Sequence, residues 1–65
     1  MSLGKKIRLT RRLQDMSQDE LAMLANIDKG TLFKIEKDIT SPTWDTVVKL
    51  VKALNLSQDS IESFL

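Results

Sequence analysis

Residues 17–37 read SQDELAMLANIDKGTLFKIEK, and the fold turns on the three residues Asn26-Ile27-Asp28 in the middle. Apolar residues recur at helical spacing on both sides of them, so the stretch reads as two short amphipathic helices joined by a tight break. Ser17 is a good N-cap, and Glu20 three residues later completes a capping box, which starts a helix at Gln18. Its inward set is Leu21, Ala22, Leu24 and Ala25. Asn26 tolerates the left-handed conformation that ends a helix, Ile27 turns an apolar side chain inward, and Asp28 caps the next helix. That third helix covers about Lys29 to Lys37, with Leu32 and Ile35 inward and Lys29, Thr31 and Lys34 on its polar side.

The same periodicity extends outward, and nothing reads as a strand. A first helix is expected from about Leu3 to Gln14, with Leu3, Ile7 and Leu13 or Thr10 on its inner side, broken at Asp15-Met16. Residues 38–42 form a loop whose Pro42 is placed to initiate a fourth helix, from Thr43 or Trp44 to Leu54. That helix should bury Trp44, Val47, Val48, Leu50, Val51 and Leu54, with a dimer contact as the other use of Trp44. Asn55-Leu56 turns the chain, and Ser57 caps a short fifth helix carrying Ile61, Phe64 and Leu65. The expected architecture is all-α: five short helices in one domain, residues 1–65, with no linker or repeat.

Composition narrows the chemistry. The 65 residues include neither cysteine nor histidine, so disulfides, thiolate and imidazole nucleophiles, and zinc sites built from those residues are excluded. The carboxylates sit at capping and surface positions, so no catalytic residue, metal or cofactor is expected. A chain of this size buries only about 60% of its unfolded surface, which makes a dimer partner a reasonable aid to stability. No apolar run approaches the roughly 18 residues of a membrane span, and the amino terminus lacks an apolar secretion signal, so a cytoplasmic protein is expected. The net charge is only +1, but residues 1–41 hold eight Lys/Arg against six Asp/Glu, and residues 42–65 hold two against three. The amino-terminal two-thirds is therefore the mildly positive end.

Two helices set at a steep angle by a tight turn suit one task well. One helix braces across the phosphates of duplex DNA while the other enters a major groove roughly 12 Å wide. Small Ala22 allows close approach, and Leu21, Ile27, Leu32 and Ile35 fix the packing. Ordered matches extend over nearly the whole chain: Leu3-Gly4, Ile7 and Arg11, then Ser17-Gln18 with Leu21-Ala22, then Ile27, Leu32, Ile35-Glu36, Pro42 and Leu50 with Ala53-Leu54. In these residues the chain resembles the lambda repressor/Cro-like (Xre family) helix-turn-helix proteins.

That resemblance implies a five-helix bundle that binds double-stranded DNA sequence-specifically. Such proteins are usually transcriptional regulators working as two-fold dimers, encoded by bacteria or phages and associated with the nucleoid. Position by position, Lys29, Gly30, Thr31 and Lys34 correspond to the residues that read bases. Gln18 corresponds to a phosphate contact that also braces the first reading residue, and Lys37, Thr40 and Ser41 to contacts along the backbone. Arg11 and Glu36 correspond to a partly buried structural salt bridge. Leu56, Ile61, Phe64 and Leu65 are assigned to dimerisation, with closure of the monomer core as the other use of the last three. These roles suit the residue types: Lys donates to guanine O6/N7, a Thr methyl meets a thymine methyl, and short polar groups position phosphates.

The chain also departs from the pattern. Asn26 and Asp38 stand where glycines are usual, and both tolerate positive φ. Gly30 lies inside the reading helix, offers no side chain and costs about 1 kcal/mol of helix propensity. Phe33 falls where a small or polar residue is usual, and a thymine-methyl contact, a sugar contact or packing against the first helix each fit it. Asp28 and Asp38 near the groove face lower phosphate affinity. Arg8, Arg12, Lys5 and Lys6 form a solvated face, or one or two of them touch phosphate. The competing reading keeps the bundle but makes it a protein-interaction module, an antitoxin that binds a toxin or a coactivator that bridges transcription machinery. Low charge, Gly30 and Phe33 favour that alternative; the Gln18/Lys29/Thr31/Lys34 set favours DNA.

Overall fold

A computed structural model describes residues 2–56. Four α-helices follow one another among these residues: α1 (Leu3–Leu13), α2 (Gln18–Ala25), α3 (Lys29–Glu36) and α4 (Trp44–Ala53). The expected fifth helix, with Ile61, Phe64 and Leu65, lies outside the described residues. Every start is capped by a short polar side chain. Ser2, Ser17, Asp28 and Thr43 accept from the backbone N–H of Lys5, Glu20, Gly30 and Thr46 respectively. Each cap satisfies one N–H that has no partner inside its helix.

The helix ends share a second device. Asp15, Asn26, Asp38 and Asn55 all have φ between 54° and 61°, and each follows one helix closely. The next residue then donates its N–H back five positions: Met16 to Arg11, Ile27 to Ala22, Ile39 to Lys34, and Leu56 to Val51. This is the Schellman arrangement, with asparagine or aspartate in place of glycine at the left-handed position. Met16, Ile27 and Leu56 then turn onto the core, whereas Ile39 remains exposed.

The core gathers Ile7 from α1, Leu21, Ala22 and Ala25 from α2, Leu32 and Ile35 from α3, and Leu50 with the following Leu54 from the α4 side. Burying a side chain such as Leu or Ile contributes about 1.5–3 kcal/mol. α2 packs on both α3 and α4, and α1 packs on α3. Gly4 makes the α1–α3 approach possible: a methyl at that position would collide with the Ile35 carbonyl and lie 3.1 Å from that of Glu36. Two long-range polar contacts close the ends. Ser2 Oγ donates to Asp38 Oδ2 at 2.7 Å, and Gln14 Nε2 donates to the carbonyl of Leu54 at 2.7 Å.

Three expected core residues are not in the core. Leu13 is 76% exposed, because it follows buried Arg11 by two residues, more than half a helical turn. Thr10, its alternative, is half-buried. Leu24 is exposed because Leu21, Ala22 and Ala25 set the buried direction of α2 and leave it at the edge. Trp44 is 59% exposed. It is the first residue of α4, and side chains in a helix lean toward the N-terminus, away from the turn that carries buried Val47. Val48 is half-buried.

Candidate nucleic-acid interface

The break between α2 and α3 is short because each of its residues has a separate task. Asn26, at φ 56° and ψ 44°, ends α2 and donates its N–H to the carbonyls of Ala22 and Met23. Ile27 packs against the core, and Asp28 Oδ2 accepts from the Gly30 N–H at 3.1 Å to start α3. α3 then keeps Leu32, Ile35 and Glu36 inside and leaves Lys29, Gly30, Thr31, Phe33 and Lys34 exposed. Gly30 has no positive φ, and a Cβ there would meet only the flexible Asp28 carboxylate, at 3.1 Å.

Behind that exposed face sits a buried ionic network. Arg11 Nε donates to Glu36 Oε2 at 2.8 Å and Arg11 Nη2 donates to Oε1 at 3.1 Å, a two-pronged pair between α1 and α3. Arg11 Nη1 also donates to the carbonyl of Met16 at 2.8 Å, in the α1–α2 connection. Gln18 Nε2 donates to the same Glu36 Oε1 at 3.0 Å. A carboxylate only accepts, so the Gln18 amide must turn its NH2 toward Glu36 and its carbonyl away. One residue of α3 therefore ties together α1, the α1–α2 connection and the start of α2. The Arg11 and Glu36 side chains are 10% and 1% exposed, so the pair is shielded from water and strongly directional. This network joins residues 25 and 18 positions apart in sequence. Spacing alone gave no sign of the Gln18 bond.

Lys29 Nζ lies 3.1 Å from Asp19 Oδ1, an exposed pair between the starts of α3 and α2. Lys37 places its ammonium 5.8 Å from the centre of the Phe33 ring, within the range of a cation–π contact. Gln18, Lys29, Phe33 and Lys37 all border a cleft of about 460 Å³, whose opposite wall is α1. Thr40 and Ser41 are exposed but lie elsewhere, beside Asp38 and Gly4 in a second cleft of about 290 Å³. Gly30, Thr31 and Lys34 border neither cleft and face outward. Leu56, assigned with the chain's end to dimerisation, packs onto Val47 and Val51 of its own core. Among the described residues no group of acidic side chains is arranged to hold a metal, and no helix is long and apolar enough to cross a membrane.

Comparison with known proteins agrees with this arrangement. The family model described as helix-turn-helix (HTH_3) matches residues 7–59. The HTH-type transcriptional regulator ImmR of Bacillus subtilis (strain 168) is 37% identical over 59 residues, covering 91% of this chain. The chain spans 46% of that relative's length. The crystal structure of the restriction-modification controller protein C.AhdI from Aeromonas hydrophila matches with a TM-score of 0.85 at 24% identity, over 91% of this chain and 89% of that one. The solution structure of the DNA-binding domain of the P22 C2 repressor matches with a TM-score of 0.86 at 24% identity, over 95% of this chain and 82% of that one. At that identity the likeness to the two structures is one of fold. With the family model covering most of the sequence, the chain belongs to the helix-turn-helix family, of the lambda repressor/Cro-like type.

Proposed function

We propose that this domain binds double-stranded DNA through α3 in the major groove and regulates transcription, as a two-fold dimer that represses its targets, its own gene included. The observation that carries this reading is the outward face of α3. Lys29, Gly30, Thr31 and Lys34 are exposed together on a helix whose other side is fixed by Leu32, Ile35 and the Arg11–Glu36–Gln18 network. A reading helix must hold its position closely, because a bidentate base contact tolerates little displacement. Lys29 and Lys34 serve as donors to guanine, Thr31 offers a methyl to thymine, and Gly30 permits close approach. Gln18, through the N–H that Glu36 does not use, and Lys37, Thr40 and Ser41 position the backbone. The names of the relatives, a transcriptional regulator and a DNA-binding repressor domain, support the reading.

The segment from Leu56 onward, with Ile61, Phe64 and Leu65, supplies the dimer contact in this reading. The test is selection of bound duplexes from a randomised pool by the purified protein at about physiological salt. A two-fold symmetric sequence with half-sites about 10 bp apart is expected. A folded protein that enriches nothing would refute the proposal. It would favour the second reading, a toxin-binding antitoxin or coactivator-type module, for which the 45% exposure of Phe33 is the supporting observation.

A further inference from the structure

The cleft beside α3 is bordered by five cationic side chains, Arg8, Arg11, Arg12, Lys29 and Lys37, and by two carboxylates, Asp19 and Glu36. Both carboxylates are already engaged, Glu36 with Arg11 and Asp19 with Lys29. Among the described residues Arg8, Arg12 and Lys37 have no carboxylate within ion-pair distance, so three positive charges remain to face the opening. Arg8 and Arg12 stand one turn apart and so lie on one side of α1. Lys37 reaches the cleft from the other wall, its ammonium resting against the Phe33 ring. Ser17 and Gln18, at the start of α2, border the same opening, where the helix dipole adds a partial positive charge.

We propose that this cleft seats one backbone phosphodiester of the bound duplex, held between Arg8 and Arg12 on one wall and Lys37 on the other. α1 thereby becomes a DNA-contacting element alongside α2 and α3. This rests on the DNA-binding reading above, in which Lys37 already faces the backbone, and extends it to Arg8 and Arg12, which that reading leaves out. A guanidinium presents paired N–H donors that match phosphate oxygens, which favours arginine on the long wall. Gln18 and Lys29 contribute less at this point, because each already has a partner inside the protein. Phe33 acquires a defined part as well, as the surface that keeps Lys37 at the edge of the cleft.

The measurement is the salt dependence of binding to the selected duplex, from about 50 to about 200 mM salt, because each neutralised phosphate contributes about 0.9 to the slope of log K against log salt. The variant Arg8→Gln/Arg12→Gln keeps the aliphatic stems and strong helix formers while removing both charges. Its slope should be shallower by about 0.9 per bound protomer, about 1.8 for a bound dimer, so that the dimer loses about 12-fold less affinity than wild type across that interval. Its base preference should be unchanged. The comparison variant Lys5→Gln/Lys6→Gln removes the same charge from α1 at positions that do not border the cleft, and it should leave the slope at the wild-type value. If the arginine variant kept the wild-type slope, or if the lysine variant flattened it equally, the cleft would not be the phosphate seat. Wild-type protein that fails to bind duplex at all would instead overturn the reading underneath, and the two failures are distinct.

Discussion

Replacing Arg11 with methionine keeps most of the aliphatic volume in place and removes three donors at once. Glu36 loses the bonds of 2.8 and 3.1 Å, and the carbonyl of Met16 loses one of 2.8 Å. The Glu36 side chain is 1% exposed, so water cannot replace the guanidinium without the helices parting. Stranding one member of a buried pair costs about 3–5 kcal/mol. The Gln18 amide still donates to Glu36, which places the expectation at the low end, about 3 kcal/mol. Domains of this size have about 3–10 kcal/mol in total, so the loss is a large share of the stability. At about 4–8 °C per kcal/mol for a small domain, the melting temperature should fall by about 12–24 °C. Helical circular dichroism followed through urea and thermal unfolding reads both quantities. The double variant Arg11→Met/Glu36→Leu separates a stranded charge from lost packing. It leaves only the partly buried Gln18 amide and Met16 carbonyl to find water, and should be more stable than Arg11→Met by about 2 kcal/mol. A single variant within about 1 kcal/mol of wild type, or a double variant less stable than the single, would refute the assignment of this pair as the brace between α1 and α3.

Gly4→Ala should destabilise by about 1–3 kcal/mol in urea unfolding, although helix propensity alone favours alanine, because the new methyl meets the Ile35 carbonyl. A more stable variant would mean that α1 and α3 do not approach there as described. Asn26→Ala should cost about 1–2 kcal/mol for placing a β-carbon at φ 56°, whereas Asn26→Gly should cost little; equal losses would show that the left-handed turn is not the reason. Lys34→Ala should leave the melting temperature unchanged while losing about 1–3 kcal/mol on the selected duplex, with relaxed preference at one base pair. Uniform weakening on every duplex would move Lys34 to the backbone. The single Trp44 should fluoresce as a solvent-exposed indole and be quenched readily by acrylamide. Trp44→Ala should cost about 1 kcal/mol or less, against about 3–5 for a core tryptophan.

The helices themselves were legible because their boundaries are written in local chemistry. Ser17 with Glu20, Asp28 and the left-handed Asn26 each act within a few residues, and the starts and ends they imply for α2 and the start of α3 agree with the structure. The core was legible where Leu21, Leu32, Ile35 and Leu50 repeat on one face. It was less so in helices of 8 to 11 residues, where the direction of burial depends on which neighbours arrive. Leu13, Leu24 and Trp44 were misplaced for that reason, since apolarity says nothing about whether a partner covers a given side. The outward set on α3 followed from the same periodicity. The bond from Gln18 to Glu36 and the gathering of Arg8, Arg12 and Lys37 around one cleft did not, because both depend on how α1 crosses the other two helices.

Each helix carries its own stop signal, a hydrogen bond reaching back five residues across an asparagine or aspartate, and none of those bonds involves the exposed side chains of α3. The length and phase of α3 are therefore settled without reference to what Lys29, Thr31 or Lys34 happen to be. Substitutions on that face can accumulate while the frame keeps its shape, so that under the DNA-binding reading proposed above a change of target sequence need not pass through an unfolded or misdocked intermediate protein. A scaffold of this kind separates the evolution of the exposed face from the maintenance of the fold that carries it.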